Sequence, residues 1–426
     1  MTPTIIIIGA GIAGLSAAQK LKAQGFDVTL LEANSRYGGR TSTDNTLGIP
    51  FDRGAFMFHG TENNPLADIA QQLGVKLLIA DIFAKDFGLH QKQLSNLEFQ
   101  KVFEQFAKLV VQAGNYARLQ NHDMSLWDAM AHQRELEHYP DLTEDVYALR
   151  HYILTLYSGS GAKALSASHW NDDELELSGY YPFVVGGYQA IIDLLAKDLH
   201  IELNAQVSAI DYHQDKVIIK TQDKTYEADA IIITVPLGVL KRQHIQFMPP
   251  LPLAKTQAID KLDMGVLNRI ALKFETVFWP KEAHILAWLA KEYRTISWFN
   301  NYYCYTQQPI LVGAVAGELA AKIELLEDAA VVDKAMETLR HLYGKNIADP
   351  TSYIIMRWGQ DPYTYGSYSY IPVGASGKDY DTLAQCVDNK LYFAGEATIK
   401  EYPGTVHGAY FSGVREADKL IKRFGK

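Results

Sequence analysis

Thr4-Ile5-Ile6-Ile7-Ile8-Gly9-Ala10-Gly11-Ile12-Ala13-Gly14-Leu15 is the stretch that decides the fold. Its first five residues are β-branched, the pattern of a strand buried on both faces of a parallel sheet. The strand runs directly into G-x-G-x-x-G. A helical repeat follows, with Ile12, Leu15, Ala18 and Leu21 on one face, and Gly25 stands where that helix should end. Asp27–Leu31 then reads as a second strand, closed by Glu32. Strand, glycine turn, helix, strand and acid, in that order, define a dinucleotide-binding unit. Gly9 permits the tight turn, Gly11 lets the backbone approach a pyrophosphate, and Gly14 lets helix and strand pack closely. Ile12 and Ala13 open the helix, whose unpaired N–H groups and positive dipole end face the phosphates. Glu32 can accept hydrogen bonds from a ribose 2′-OH and would repel a 2′-phosphate, so FAD or NAD is favoured over NADP.

Outward from this unit, Ala33-Asn34-Ser35-Arg36-Tyr37-Gly38-Gly39-Arg40 follows at once. Gly38 and Gly39 allow a close backbone approach, and Arg36 and Arg40 can reach a pyrophosphate. The other reading is a surface turn with two solvated arginines; behind a dinucleotide fingerprint the phosphate reading is preferred. Phe51–Gly60 is an apolar stretch bracketed by Gly54 and Gly60 and carrying His59. On its residues alone, His59 reads as structural.

A chain of 426 residues is long enough for two domains, and 48% hydrophobic content suits a soluble globular enzyme. The net charge of −9 argues against nucleic acid as a partner and is compatible with cationic substrates. Cys304 and Cys386 provide neither a disulfide framework nor metal-ligand spacing, and no metal is expected. No apolar run reaches the length of a membrane span. The fingerprint lies a few residues from Met1, which predicts no targeting segment and a cytoplasmic location.

From about Pro65 to Tyr147 the pattern is mainly helical. Trp170-Asn171-Asp172-Asp173-Glu174-Leu175-Glu176 is acidic; it reads first as a solvated loop or helix start, and alternatively as a mouth that attracts a polycation. Gln189–Leu199 reads as a helix. Strands are predicted near Val207–Tyr212, Lys216–Thr221, Lys224–Glu227 and Ala230–Val235, so the nucleotide domain resumes there. Trp358–Tyr370 is dense in aromatics, and its tyrosines suit a polar-edged cavity. Lys390–Ala394, Gly395-Glu396-Ala397 and a final helix make a second strand–glycine–helix unit.

These motifs together resemble the flavin-dependent amine oxidases, which include polyamine oxidases, monoamine oxidases and flavin histone lysine demethylases. The carriers are G-A-G-I-A-G-L with Glu32, Y-G-G-R at Tyr37–Arg40, D-R-G-A at Asp52–Ala55 and V-P-L-G-V-L at Val235–Leu240. Downstream come D-P-Y-T-Y-G-S-Y-S-Y at Asp361–Tyr370, Y-F-A-G-E-A-T at Tyr392–Thr398, and Y-P-G-T-V-H-G-A-Y-F-S-G-V-R-E-A at Tyr402–Ala417.

The resemblance implies a two-domain α/β fold, with a Rossmann-like FAD-binding domain and a substrate domain of mixed β-sheet and helices. The FAD domain would take residues 1–80, 185–262 and 381–426; the substrate domain would take 81–184 and 263–380. Glu32 would bind the adenosine ribose, Arg40 the pyrophosphate, Val207 the adenine through its backbone, and Glu396 the ribityl–phosphate region. Trp358 would lie near the flavin ring, and Thr405 and Val406 near its pyrimidine edge. Gly54, Ala55, Phe56, Met57, Val235, Tyr363 and Gly395 complete the implied cofactor site. The cysteine that attaches FAD in monoamine oxidases is Ser367 here, so non-covalent FAD is implied.

By the same resemblance, Tyr368 supplies one of two aromatics that often flank the substrate amine, and Thr405 takes the position of the other. His59 matches a pocket histidine of animal and fungal polyamine oxidases, which reverses its structural reading. The resemblance does not extend to the coiled-coil insertion and N-terminal helical domain of the demethylases, so no chromatin role is expected. A lysine of the family that holds a water beside flavin N5 is Arg269 here; arginine keeps the charge but is bulkier, planar and not easily deprotonated. The implied reaction is oxidation of a small amine by hydride transfer to flavin N5, with dioxygen giving hydrogen peroxide, and a polyamine as the first candidate substrate. Oxidation of a monoamine or an L-amino acid is the alternative. A catalytically weak flavoprotein acting as a binding module is a third reading, supported only by Arg269.

Overall fold

The structure is a computed structural model and describes residues 3–79, 85–89, 92–93, 95–137, 153–172, 174–289 and 296–425. Its centre is a five-stranded parallel sheet in the order Leu391–Phe393, Ala230–Ile233, Thr4–Ile8, Asp27–Leu31, His200–Glu202. Alternate side chains fill opposite faces, as strands buried on both sides require. Ile5, Ile7, Leu30 and Ile232 pack against helices Ile12–Ala23, Gln189–Ala196 and Val406–Phe424. Ile6, Ile8, Ile231 and Ile233 pack towards a four-stranded sheet built from Val207–Asp211, Val217–Thr221, Thr225–Ala228 and Gln246–Met248.

The last helix closes against the first through Gly413, where a Cβ would lie 2.1 Å from the Ala13 carbonyl oxygen. Residues from both ends of the chain thereby brace the nucleotide turn.

A second, seven-stranded mixed sheet runs Ser352–Ile355, Leu267–Lys273, Ile310–Ala316, Trp298–Asn301, Ile285–Leu289, Lys85–Leu89, Lys92–Gln93. Asp263–Gly265 and Tyr368–Tyr370 form a short antiparallel pair, and the second of these strands lines the cavity described below. The chain is thus a mixed α/β protein with a Rossmann-like parallel sheet and a separate mixed sheet, the two-domain amine oxidase architecture implied by its motifs.

Among its described residues the region from Pro65 to Tyr147 is mainly helical, as its pattern predicts, with three short strands the pattern does not show. Helices form at Pro65–Gln72, Asn96–Arg118 and Leu126–Glu137, but Leu77–Ile79, Lys85–Leu89 and Lys92–Gln93 are strands. Leu77–Ile79 pairs with Pro182–Val184, and Lys85–Leu89 runs parallel to Ile285–Leu289. These partners lie far along the chain, where a local periodicity carries no signal. Residues 138–147 of the expected helical region lie outside the described residues.

Candidate active site

The carboxyl ends of Thr4–Ile8 and Ala230–Ile233 open into a cavity of about 660 Å³ that extends to one face of the seven-stranded sheet. This is where open parallel sheets bind ligands. At its near end, Gly9 takes φ +103°, and its N–H donates to the Leu31 carbonyl at 2.8 Å. A Cβ on Gly14 would lie 2.0 Å from the Gly9 carbonyl oxygen, so Gly14 serves the packing of turn against helix; it does not line the cavity. Gly11 differs. Its backbone is extended at φ −78° and ψ −177°, and a Cβ there would meet no protein atom within 4 Å. Nothing in the protein requires glycine at position 11; a group seated on the N-terminus of helix Ile12–Ala23 does.

Glu32 stands beside this cradle. Its carboxylate accepts from the Ala10 N–H at 2.7 Å and the Asn34 N–H at 2.9 Å. Burial pushes its carboxyl above the usual range, opposed by those two N–H groups and by Arg36. Arg36 donates to the Gly39 carbonyl at 2.8 Å, and burial lowers its guanidinium while Asp361 opposes that shift. Arg40 pairs with Glu396 at 2.8 Å and donates to the Ser367 carbonyl at 3.0 Å. The other oxygen of Glu396 accepts from Ser369 Oγ at 2.6 Å and the Gly404 N–H at 3.1 Å. Ser367 Oγ itself is engaged with the backbone of Leu267.

Ala33, Gly39, Gly54, Ala55, Met57, Val207, Val235, Tyr363, Gly395 and Val406 also line this cavity. So do Ile12, Ala13, Phe56 and Trp358. Of the residues the sequence assigned to cofactor, Gly14 alone stands behind the wall.

The four residues assigned to chemistry all line the cavity. Tyr368 donates to the Leu156 carbonyl. Thr405 caps helix Val406–Phe424, accepting from the Gly408 N–H at 3.0 Å, and its hydroxyl lies 3.3 Å from His407 Nε2. His59 is open to the cavity yet enclosed by protein, and its ring meets that of Tyr181 edge-on at 5.9 Å. Desolvation lowers its imidazole below the ordinary value, against the pull of Glu176. His407, unassigned from sequence, lines the same wall; burial, helped by His59, brings it down to about 4. Both shifts favour neutral rings.

Arg269 is 1% exposed and completes the floor. It donates to the Asp52 carbonyl oxygen and the Tyr302 hydroxyl. Its guanidinium carbon lies 4.0, 4.8 and 5.7 Å from the ring centres of Phe56, Phe51 and Tyr302. The charge expected from the sequence is present, held in an aromatic cage.

The acidic stretch 170–176 is not a plain solvated loop. Trp170, Asn171, Asp172, Glu174, Leu175 and Glu176 line the cavity; Asp173 lies outside the described residues. Tyr157 donates to Glu174, whose carboxyl is raised by burial, and Tyr181 donates to Glu176 at 3.1 Å. Composition shows such a cluster, but only the contact with Tyr157 and Tyr181 turns it inward.

The chain matches the family model for flavin containing amine oxidoreductases over residues 12–421. It is 38% identical to polyamine oxidase 4 of Oryza sativa subsp. japonica over 99% of this chain and 89% of that protein. It is 37% identical to polyamine oxidase 3 of the same plant, over 99% of this chain and 91% of that protein. Lysine-specific histone demethylase 1 homolog 2 of Arabidopsis thaliana is 36% identical over 98% of this chain, which spans only 58% of that protein's length. The chain belongs to the flavin-containing amine oxidoreductase family. Its cofactor is FAD; the open space at Gly11 has room for a pyrophosphate, Glu32 stands where a ribose hydroxyl could reach it, and the Arg40–Glu396 pair lines the same cavity.

Proposed function

We propose that the chain is an FAD-dependent amine oxidase acting on a polyamine. The observation that carries this reading is the sharing of one cavity by two unlike environments. Around Tyr368, Thr405, His59 and His407 the walls are aromatic or neutral; around Glu174 and Glu176 they are acidic. Desolvation in the first favours the neutral amine whose lone pair drives oxidation, while the second holds ammonium groups further along the same molecule. Bound FAD supplies the acceptor for the hydride that leaves the carbon next to nitrogen. Tyr368 and Thr405 orient that C–H bond, and Arg269 holds a fixed positive charge on the wall of the same cavity. The imine hydrolyses to an aldehyde and an amine, and dioxygen is reduced to hydrogen peroxide. With Ser367 engaged by Leu267, the FAD is held non-covalently.

The amino-acid alternative needs a cation free to take a carboxylate. Arg357 pairs with Asp328 at 2.7 Å and does not line the cavity, and Arg269 is held by Asp52 and Tyr302; Arg294 lies outside the described residues. The test is anaerobic reduction of the purified yellow protein by spermine, spermidine, acetylated polyamines, putrescine, benzylamine and L-amino acids. Rapid loss of oxidised-flavin absorbance with a polyamine supports the reading. A flavin reduced only by L-amino acids, or by no amine, overturns it.

A further inference from the structure

Glu396 opens the 3₁₀ turn Glu396–Thr398 that follows strand Leu391–Phe393, and it is 5% exposed. Its two carboxylate oxygens meet different partners. Oε1 accepts from Arg40 at 2.8 Å. Oε2 accepts from Ser369 Oγ at 2.6 Å, from the Ser369 N–H at 3.2 Å and from the Gly404 N–H at 3.1 Å. Ser369 follows Tyr368 and Gly404 precedes Thr405. This one oxygen is therefore a shared acceptor for the two segments that carry Tyr368 and Thr405.

The two segments are in contact. Gly404 takes φ +66°, and a Cβ there would lie 3.5 Å from the Tyr368 Cβ and 3.7 Å from the Ser369 carbonyl oxygen. Tyr368 also pairs with Gly265 across the short antiparallel strands, and Thr405 caps helix Val406–Phe424. Those anchors fix each wall to its own element. The bonds to Oε2 fix the walls to one another.

The proton inventory sets the direction of the chain behind Oε2. Ser369 has one hydroxyl proton, and the 2.6 Å contact with the carboxylate takes it. The Tyr380 hydroxyl, 3.1 Å from Ser369 Oγ, is then the donor of that pair. Tyr380 is 1% exposed on helix Gly377–Ala384. Burial raises its phenol, opposed by Ser369 and reinforced by Glu396 and Glu174, so it keeps its proton. Tyr380 thus donates to Ser369, and Ser369 to Glu396. A carboxylate bonded in this way on both oxygens has little freedom to turn.

We propose that Ser369 and Tyr380 are positioning residues for the amine site. They hold Glu396 Oε2 in place, and through it they set the separation of Tyr368 from Thr405, the two residues that orient the reacting C–H bond. Arg40, on the other oxygen, ties that separation to the cofactor end of the cavity. The kinetic consequence rests on the amine oxidase reading; the geometric one does not.

The test uses FAD-loaded Ser369→Ala, Tyr380→Phe and the double variant, with two readouts. In crystal structures the separation of Tyr368 from Thr405 should widen by ~0.5 Å or more in Ser369→Ala, beyond the tolerance of a productive site. In anaerobic stopped flow with spermidine, the limiting rate of flavin reduction should fall by roughly tenfold, while amine affinity changes by less than about threefold. Tyr380→Phe should show both changes to a smaller extent, and the double variant should match Ser369→Ala, because Tyr380 acts through Ser369. Tyr380→Phe removes a single oxygen and decides the matter alone if Ser369→Ala does not fold. A separation unchanged in the folded variants overturns the proposal, as does a loss confined to affinity, or losses that add in the double variant. A widened separation in a protein that no amine reduces, wild type included, counts against amine oxidation and supports the positioning role.

Discussion

The guanidinium of Arg269 lies 4.0 Å from the ring centre of Phe56, with Phe51 and Tyr302 on its other sides. A planar cation suits this cage, because it stacks on rings while its edge donates to the Asp52 carbonyl and the Tyr302 hydroxyl. Arg269→Lys keeps the charge but cannot do both. Losing one charge-assisted hydrogen bond should destabilise the fold by ~1–3 kcal/mol, read by urea denaturation. An unchanged midpoint would mean that the cage does not hold the side chain.

Gly11 and Gly14 separate cofactor binding from folding. Gly11→Ala places its methyl in empty space at an allowed backbone conformation, so apoprotein stability should stay within about 0.5 kcal/mol. FAD affinity should fall by roughly tenfold or more if this open space at the helix N-terminus is where the pyrophosphate approaches the backbone. Gly14→Ala puts a methyl 2.0 Å from the Gly9 carbonyl oxygen and should destabilise the apoprotein by ~1–3 kcal/mol. Equal losses of apoprotein stability in the two variants would refute this division.

Much of this architecture is legible in the sequence because its signals are local. The run Thr4–Ile8, the glycine turn and Glu32 specify one continuous unit, and the structure forms strands at Thr4–Ile8 and Asp27–Leu31. Arg269 is found by its motif. Its cage is not, since Phe51, Phe56 and Tyr302 come together only through tertiary packing. His407 stands two residues from Thr405, and that spacing around a helix start was the one usable clue to it.

Asp52 gives a pH-dependent stability with a definite sign. Burial pushes its carboxyl up to about 6 from an ordinary 3.8, opposed by hydrogen bonds from Thr43 and the Tyr188 N–H and by Arg269. Between those values the folded state holds the proton more firmly than the unfolded chain, so the contribution is full below 3.8 and is lost as pH rises through 6. Both hydrogen bonds fall on Oδ1, which an amide retains. The stability of Asp52→Asn minus that of wild type should therefore rise across this window and level off above it, measured by denaturation at stepped pH. A flat difference curve would show that the Asp52 carboxyl keeps its ordinary value in the folded protein, with no upward shift from burial.

Glu176 tests the acidic arm of the cavity by ionic strength. Its carboxylate is exposed, accepts from Tyr181 at 3.1 Å, and lies on the same wall as Glu174. An ammonium bound there is screened by salt, so spermidine affinity in wild type should weaken as ionic strength rises. Glu176→Gln keeps an acceptor for the tyrosine but removes the charge. It should weaken spermidine by about fivefold at low salt, the equivalent of ~1 kcal/mol for an exposed pair, and flatten the salt dependence. Benzylamine, with no second nitrogen to place on this wall, should bind both proteins alike. Equal losses for both amines would mean that Glu176 shapes the pocket through Tyr181 and does not read substrate charge.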